Sequence, residues 1–85
     1  MDRATILAEL KNVVAPYTEN KAMLEGITED TDLIKDLKIN SANIVDIIID
    51  AESKYNIEID FDSAAKMHKV GSCIDVIISK MNQPA

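Results

Sequence analysis

Asp36-Leu37-Lys38-Ile39-Asn40-Ser41-Ala42, with the apolar run that follows it to Tyr55, decides how this chain is read. Ser41 stands where a polar loop gives way to a helix. Ile44, Val45, Ile47, Ile48, Ile49 and Ala51 come behind it, with Asn43, Asp46, Asp50 and Glu52 between them. A serine at a helix N-terminus has two ordinary uses. It caps the helix by accepting a hydrogen bond from a backbone N–H one turn on. Alternatively its hydroxyl carries a group, and the free N–H donors and positive dipole end hold that group if it is anionic. Asn40 can do the capping here, which leaves Ser41 free to point outward.

Eighty-five residues are expected to make a single domain spanning 1–85. A chain this short buries only about two-thirds of its unfolded surface, so its core is thin. Cys73 is the one cysteine, so no internal disulfide can staple it. Aromatics are few and isoleucines many, which fits a small helical bundle and not a large enzyme cleft. Fifteen acidic and nine basic residues give a net charge of −6. Such a surface repels nucleic acid and anionic membrane, and it suits a basic protein partner. No apolar run approaches the roughly 20 residues that span a bilayer. Met1-Asp2-Arg3 does not lead into a secretory apolar region. The expectation is a cytoplasmic, soluble monomer with a reduced thiol, no stable membrane insertion and no nucleic-acid partner.

The first helix is predicted over Arg3–Val14 with Asp2 as its cap. Ile6, Leu7, Leu10, Val13, Val14 and Tyr17 form its apolar stripe. Pro16 ends it, because proline lacks an N–H and disfavours helix in the residue before it. A long loop then runs from Tyr17 to Asn40. It is too long to be structureless, so a helical turn is expected over Asn20–Leu24. Leu24, Ile27, Leu33, Ile34 and Leu37 are expected to peg it to the core. Gly26 is expected to supply a turn with positive φ. Asp30, Asp32 and Asp36 invite a calcium-loop reading. An EF-hand counted from Asp30 needs Gly and Glu where Lys35 and Ser41 stand, so these are read as turn acids.

The second helix is predicted from Ser41 to Lys54. Ile44, Ile47, Ile48, Ala51 and Tyr55 mark its inner side. Ala42, Asn43, Val45, Asp46, Ile49 and Asp50 cover much of the rest, and stray apolar residues on a soluble face are common. Glu58 to Asp62 reads as an extended link. A short third helix is predicted over Asp62–Met67, with Ala64 and Met67 packing inward. The fourth runs from Val70 or Gly71 to Met81, with Val70, Cys73, Ile74, Ile77, Ile78 and Met81 as its stripe. Cys73 there reads as a small buried hydrophobe. His68, the single histidine, has no metal-ligand cluster or nucleophile beside it. Asn82 to Ala85 is expected to fray.

The chain resembles the acyl carrier protein family, which carries Asp-Leu-Gly-x-Asp-Ser-Leu-Asp ahead of an acidic helix. Asp36 to Asn43 corresponds to that motif. Ile27-Thr28-Glu29-Asp30-Thr31-Asp32-Leu33 is similar to the family's approach to it. Glu52-Ser53-Lys54-Tyr55-Asn56-Ile57-Glu58-Ile59, Ala65 to Gly71 and Ile74-Asp75-Val76-Ile77 continue the likeness. It covers nearly the whole chain. The departures are Lys38 for Gly, Asn40 for Asp, Ala42 for Leu and Asn43 for Asp.

The resemblance implies an all-α four-helix bundle of acyl-carrier type, with three longer helices, one short third helix and a long loop between the first two. It implies that Ser41 holds a covalent 4′-phosphopantetheine arm, placed there by a phosphopantetheinyl transferase (carrier-protein synthase) from coenzyme A. The arm's thiol then bears acyl groups as thioesters. Acyl-transferring or condensing enzymes with basic surfaces would dock on Asn40, Ala42, Asn43, Val45, Asp46, Ile49 and Asp50. Ile44, Ile47, Ile48 and Ala51 would line a shelter for the acyl chain. The family often places leucine where Ala51 stands, so the missing volume is either room for cargo or a packing solution. The chain has no serine–histidine–acid signature, glycine-rich phosphate loop or zinc spacing. It is therefore read as a carrier and not an enzyme, with no metal site. The rival reading is an unmodified helical interaction module that docks through its acidic second helix. Fatty-acid, polyketide, lipopolysaccharide-lipid and aminoacyl carriers share the architecture, and the four departures point to a specialised member.

Overall fold

Asp2 opens the first helix: its carboxylate accepts a hydrogen bond from the Thr5 N–H at 2.8 Å. That bond holds the Asp2 pKa below the usual carboxylate value. The computed structural model describes residues 2–82. The expected fraying tail therefore lies outside the described residues from 83 onward. Helix α1 spans Arg3–Val14, α2 Lys21–Glu25, α3 Ile44–Tyr55, α4 Phe61–Ala64 and α5 Val70–Met81. A 3₁₀ turn, Ser41–Asn43, leads into α3.

The three long helices, α1, α3 and α5, pack against one another. They do so because each buries one stripe: Ile6, Leu10 and Val14 on α1, Ile47 and Ala51 on α3, Val70, Cys73, Ile74 and Ile77 on α5. The molecule measures 38 × 26 × 18 Å. Its short dimension is less than two helix diameters of about 10–12 Å, so the core is one side chain deep on either side of the contact. Each fully buried Ile or Leu adds about 1.5–3 kcal/mol relative to exposure. Burial also pushes the Cys73 thiol up to about 12, so it is protonated at neutral pH.

The long loop is tied down by its own polar groups. The Thr18 hydroxyl donates to the Leu37 carbonyl, and Asn20 Nδ2 donates to the Asp36 carbonyl at 3.0 Å. Asp32 Oδ1 accepts the N–H groups of Ile34 and Lys35, while the Asp32 N–H donates to Asp36 Oδ2 at 2.8 Å. Asp32 and Asp36 are thus turn-forming acids, as their spacing predicts. Further bonds, Leu33 N–H to the His68 carbonyl and Val70 N–H to the Thr31 carbonyl, both at 3.0 Å, lash the loop to the start of α5. Gly71 permits that approach. Its N–H donates to the Glu29 carbonyl at 2.8 Å, and a Cβ there would lie 3.0 Å from the same oxygen. Arg3 completes the corner by pairing with Glu29 at 2.5 Å and Asp75 at 2.7 Å.

Several expectations need correction. Gly26 has φ −99°, not a positive value, because the chain leaves α2 through an ordinary turn closed by Ile27 N–H on the Leu24 carbonyl. Ile34 is 44% exposed. It sits on the outer corner of the Asp32 turn, and Ile39 fills the core instead. The helical turn over Asn20–Leu24 is α2, shifted by one residue and capped by Asn20. The third helix begins at Phe61, since Asp60 caps it through Ser63 N–H, and it ends at Ala64. Ala65 to Lys69 then turns so that the His68 carbonyl can meet Leu33. Met67 is buried as expected, whereas Met81 is 39% exposed at the end of α5 and Val76 takes a buried place.

Candidate functional site at the start of α3

Ser41 does not sit on the α-helix itself. It opens the 3₁₀ turn, and Asn40 Oδ1 caps that turn by accepting the Ala42 N–H at 2.9 Å. This is the division of labour expected from the sequence. Ser41 is exposed, and among the described residues its hydroxyl takes part in no hydrogen bond. The α-helical run then starts at Ile44, behind Asn43, whose side chain makes no cap bond. The predicted start at Ser41 is therefore displaced by one tight turn.

Just before the serine the backbone changes hand. Lys38 has φ +57°, the left-handed region that favours glycine, and the only other such residue described is Asn56, at +53°. Lys38 is exposed, and among the described residues it forms no ion pair. An open groove of ≈440 Å³ lies beside it, lined by Tyr17, Glu19, Ile34, Lys38, Ile39, Asn40 and Asn43. Sequence reasoning missed this geometry. The signal was available, since the resembled motif has glycine where Lys38 stands.

Most of the residues assigned to docking are exposed. Val45 and Ile49 are 59% and 54% exposed, and Ala42, Asp46 and Asp50 are exposed with them. Asn40 is exposed and Asn43 half-buried at the turn. Asp50 is already engaged, because the Tyr17 hydroxyl donates to its Oδ2 at 3.0 Å. That bond, with some burial, raises the Tyr17 pKa. The opposite side of α3 faces inward. Ile47 and Ala51 are buried, and Ile44 and Ile48 pack half-buried against the core. Tyr55 closes the far end by donating to Glu9 at 2.7 Å. Burial and then this bond hold its pKa well above the usual phenol range. Besides the groove near Ser41, open grooves of ≈400 and ≈290 Å³ lie at Glu52, Glu58 and Lys80 and along Ser63, Asp75 and Ser79. None of the three is lined by Ile44, Ile47, Ile48 or Ala51.

Among the described residues no group of three or more His, Cys, Asp or Glu is placed to hold a metal ion. No described helix is long and apolar enough to cross a membrane. Sequence comparison gives relatives along almost the full length, although no protein-family model matches. The chain is 34% identical to an acyl carrier protein of Lactobacillus johnsonii over 76 residues, covering 87% of this chain and 95% of that one. It is 32% identical to an acyl carrier protein of Helicobacter pylori, covering 89% and 86%. The fold is similar to that of the Enterococcus faecalis acyl carrier protein, with TM-score 0.75 and 21% identity over 94% of this chain and 99% of that one. It is equally similar, at TM-score 0.75 and 18% identity over 100% and 95%, to the hexanoyl form of the carrier from the actinorhodin polyketide synthase of Streptomyces coelicolor. A free serine hydroxyl at the head of an acidic helix, the all-helical fold and these full-length relatives agree: the chain belongs to the acyl carrier protein family.

Proposed function

We propose that Ser41 carries a 4′-phosphopantetheine arm and that the protein presents acyl groups, held as thioesters on it, to partner enzymes. The observation that carries this reading is the Ser41 hydroxyl, exposed and unbonded while Asn40 caps in its place. The residues around it fit the group. A phosphodiester needs an accessible oxygen to attach to, which Ser41 offers, and donors nearby. The Ala42 and Asn43 N–H groups are already bonded to Asn40, so side chains beside the turn are the donors left for it. When bound, the arm supplies the thiol that forms the thioester. The protein's own part is to hold Ser41 out, to offer Val45, Asp46, Ile49 and Asp50 as a docking face, and to shelter the cargo along Ile44, Ile47, Ile48 and Ala51.

A phosphopantetheinyl transferase would modify the chain from coenzyme A in the cytoplasm. Acyl-transferring or condensing enzymes with basic surfaces would then dock on the acidic side of α3. The test is intact-mass spectrometry after treatment with coenzyme A and a broad-specificity transferase. The native chain should gain one arm, and Ser41→Ala should stay folded and gain none. A native chain that is never modified would leave the rival, an interaction module that docks without an arm.

A further inference from the structure

We propose that Lys38, Asn40 and Asn43 form a seat that holds the phosphodiester end of the arm in the groove beside Ser41; this rests on the carrier reading above. All three line that one groove. Each has a donor to spare. Lys38 forms no ion pair among the described residues. Because Asn40 Oδ1 accepts the Ala42 N–H, its amide orientation is fixed and its Nδ2 remains as a donor. The Asn43 side chain makes no cap bond.

The charge pattern points the same way. The resembled motif has glycine and two aspartates at these positions. Here they are lysine and two asparagines, so two negative charges near the serine are gone and one positive charge is added. Carboxylates would repel a phosphodiester; an ammonium and two amides donate to it, and charge-assisted hydrogen bonds are the stronger kind. Lys38 also occupies a left-handed backbone position where glycine would be unstrained. Strain of this sort is held where the surroundings impose it, and it concentrates at functional sites. Glu19 also lines the groove, and its carboxylate opposes the phosphodiester, which leaves Lys38 to offset it. The remaining lining suits the arm's branched, amide-containing chain. Ile34 offers exposed apolar surface on one wall and Tyr17 an aromatic ring on another.

The consequence is an arm that rests on its own carrier between encounters. NMR of the isotope-labelled protein bearing the arm without cargo tests this. Mass spectrometry must first place the arm on Ser41; an unmodified chain would overturn the carrier reading and the seat together. In the modified protein, the side-chain amide signals of Asn40 and Asn43 should shift from their unmodified positions. Arm protons should show contacts to Ile34 and Tyr17. Lys38→Asn keeps a residue that tolerates the left-handed turn but removes the charge. It should lose most of these contacts and move the phosphorus resonance toward that of free pantetheine phosphodiester. Lys38→Arg should restore both, and added salt should weaken the native contacts. An arm without contacts to the groove, or one equally ordered in native and Lys38→Asn proteins, would overturn the seat alone. So would a Lys38→Asn effect confined to transferase or partner binding, since the lysine would then be read by another protein.

Discussion

Helix α3 is approached and left through left-handed residues, and the two are not alike. Asn56, at φ +53°, ends the helix, and its N–H closes on the Glu52 carbonyl. Asparagine tolerates that conformation, so this is an ordinary helix stop. Lys38, at φ +57°, precedes Ser41, and lysine has no such tolerance. The far end of α3 is therefore locally consistent, and the serine end is not. Departure from local preference is what a functional end of a helix is expected to show.

The largest effect that sharpens this contrast lies between them, on the buried side of α3. Ile47→Ala should lower unfolding free energy by about 2–5 kcal/mol, because Ile47 is buried in a thin core that closes poorly over a void. Urea titration measures it. Loss well under 1 kcal/mol would mean that the core collapses freely and that α3 is not anchored there.

Next comes the pair itself. Lys38→Gly should raise stability by about 1 kcal/mol by relieving the left-handed strain, while Asn56→Gly should change it by only a few tenths. Equal responses at the two positions would erase the distinction.

The outward side of α3 should respond less in stability and more in recognition. Asp46→Lys should shift stability by less than about 0.5 kcal/mol. It should slow association with a basic partner enzyme and weaken the salt dependence of the rate, as read by stopped-flow mixing. Asp50→Lys carries a second term, because it also removes the acceptor of the Tyr17 hydroxyl.

The smallest effect concerns acid. Arg3 holds the Glu29 carboxyl below its ordinary pKa, and Lys80 and Ser63 hold Asp60 well below its own. Protonation therefore favours the unfolded chain at both. The stability they add is complete above about pH 5 and is lost as the pH falls through the folded values. Glu29→Gln and Asp60→Asn should lower the neutral plateau slightly and flatten the acid limb of the stability–pH curve, so that native and variant curves converge at low pH. A native curve that is level from pH 7 to pH 3 would contradict this.

Much of this was legible in the sequence. The apolar spacing places α1 and α5 at their observed limits, because a stripe of Ile, Leu and Val has no other use in a chain this short. Asp2 and Asn40 announce their caps. The long loop was less legible. Ile34 and Ile39 are both isoleucines near a turn, and only the bonds of Asp32 decide which one faces out. Gly26 drew the positive φ on residue type alone, although Lys38 has it; backbone hand at that position is set by the Leu37 and Ile39 anchors on either side, not by the side chain between them. The Tyr17–Asp50 bond joins residues far apart in sequence, and no local pattern encodes it.

The attachment of the arm to Ser41 is the claim on which the rest depends. A foreign transferase has to read Lys38, Asn40 and Asn43 where it ordinarily meets glycine and acids, so its success is an indirect measure. The direct one is fragment-ion mass spectrometry of the protein isolated from its own cells. Trypsin cuts after Lys38 and Lys54, which releases a peptide holding Ser41 and Ser53. The account predicts a phosphopantetheine adduct on Ser41 in that peptide. A peptide that is wholly unmodified, or an adduct on Ser53, would contradict it.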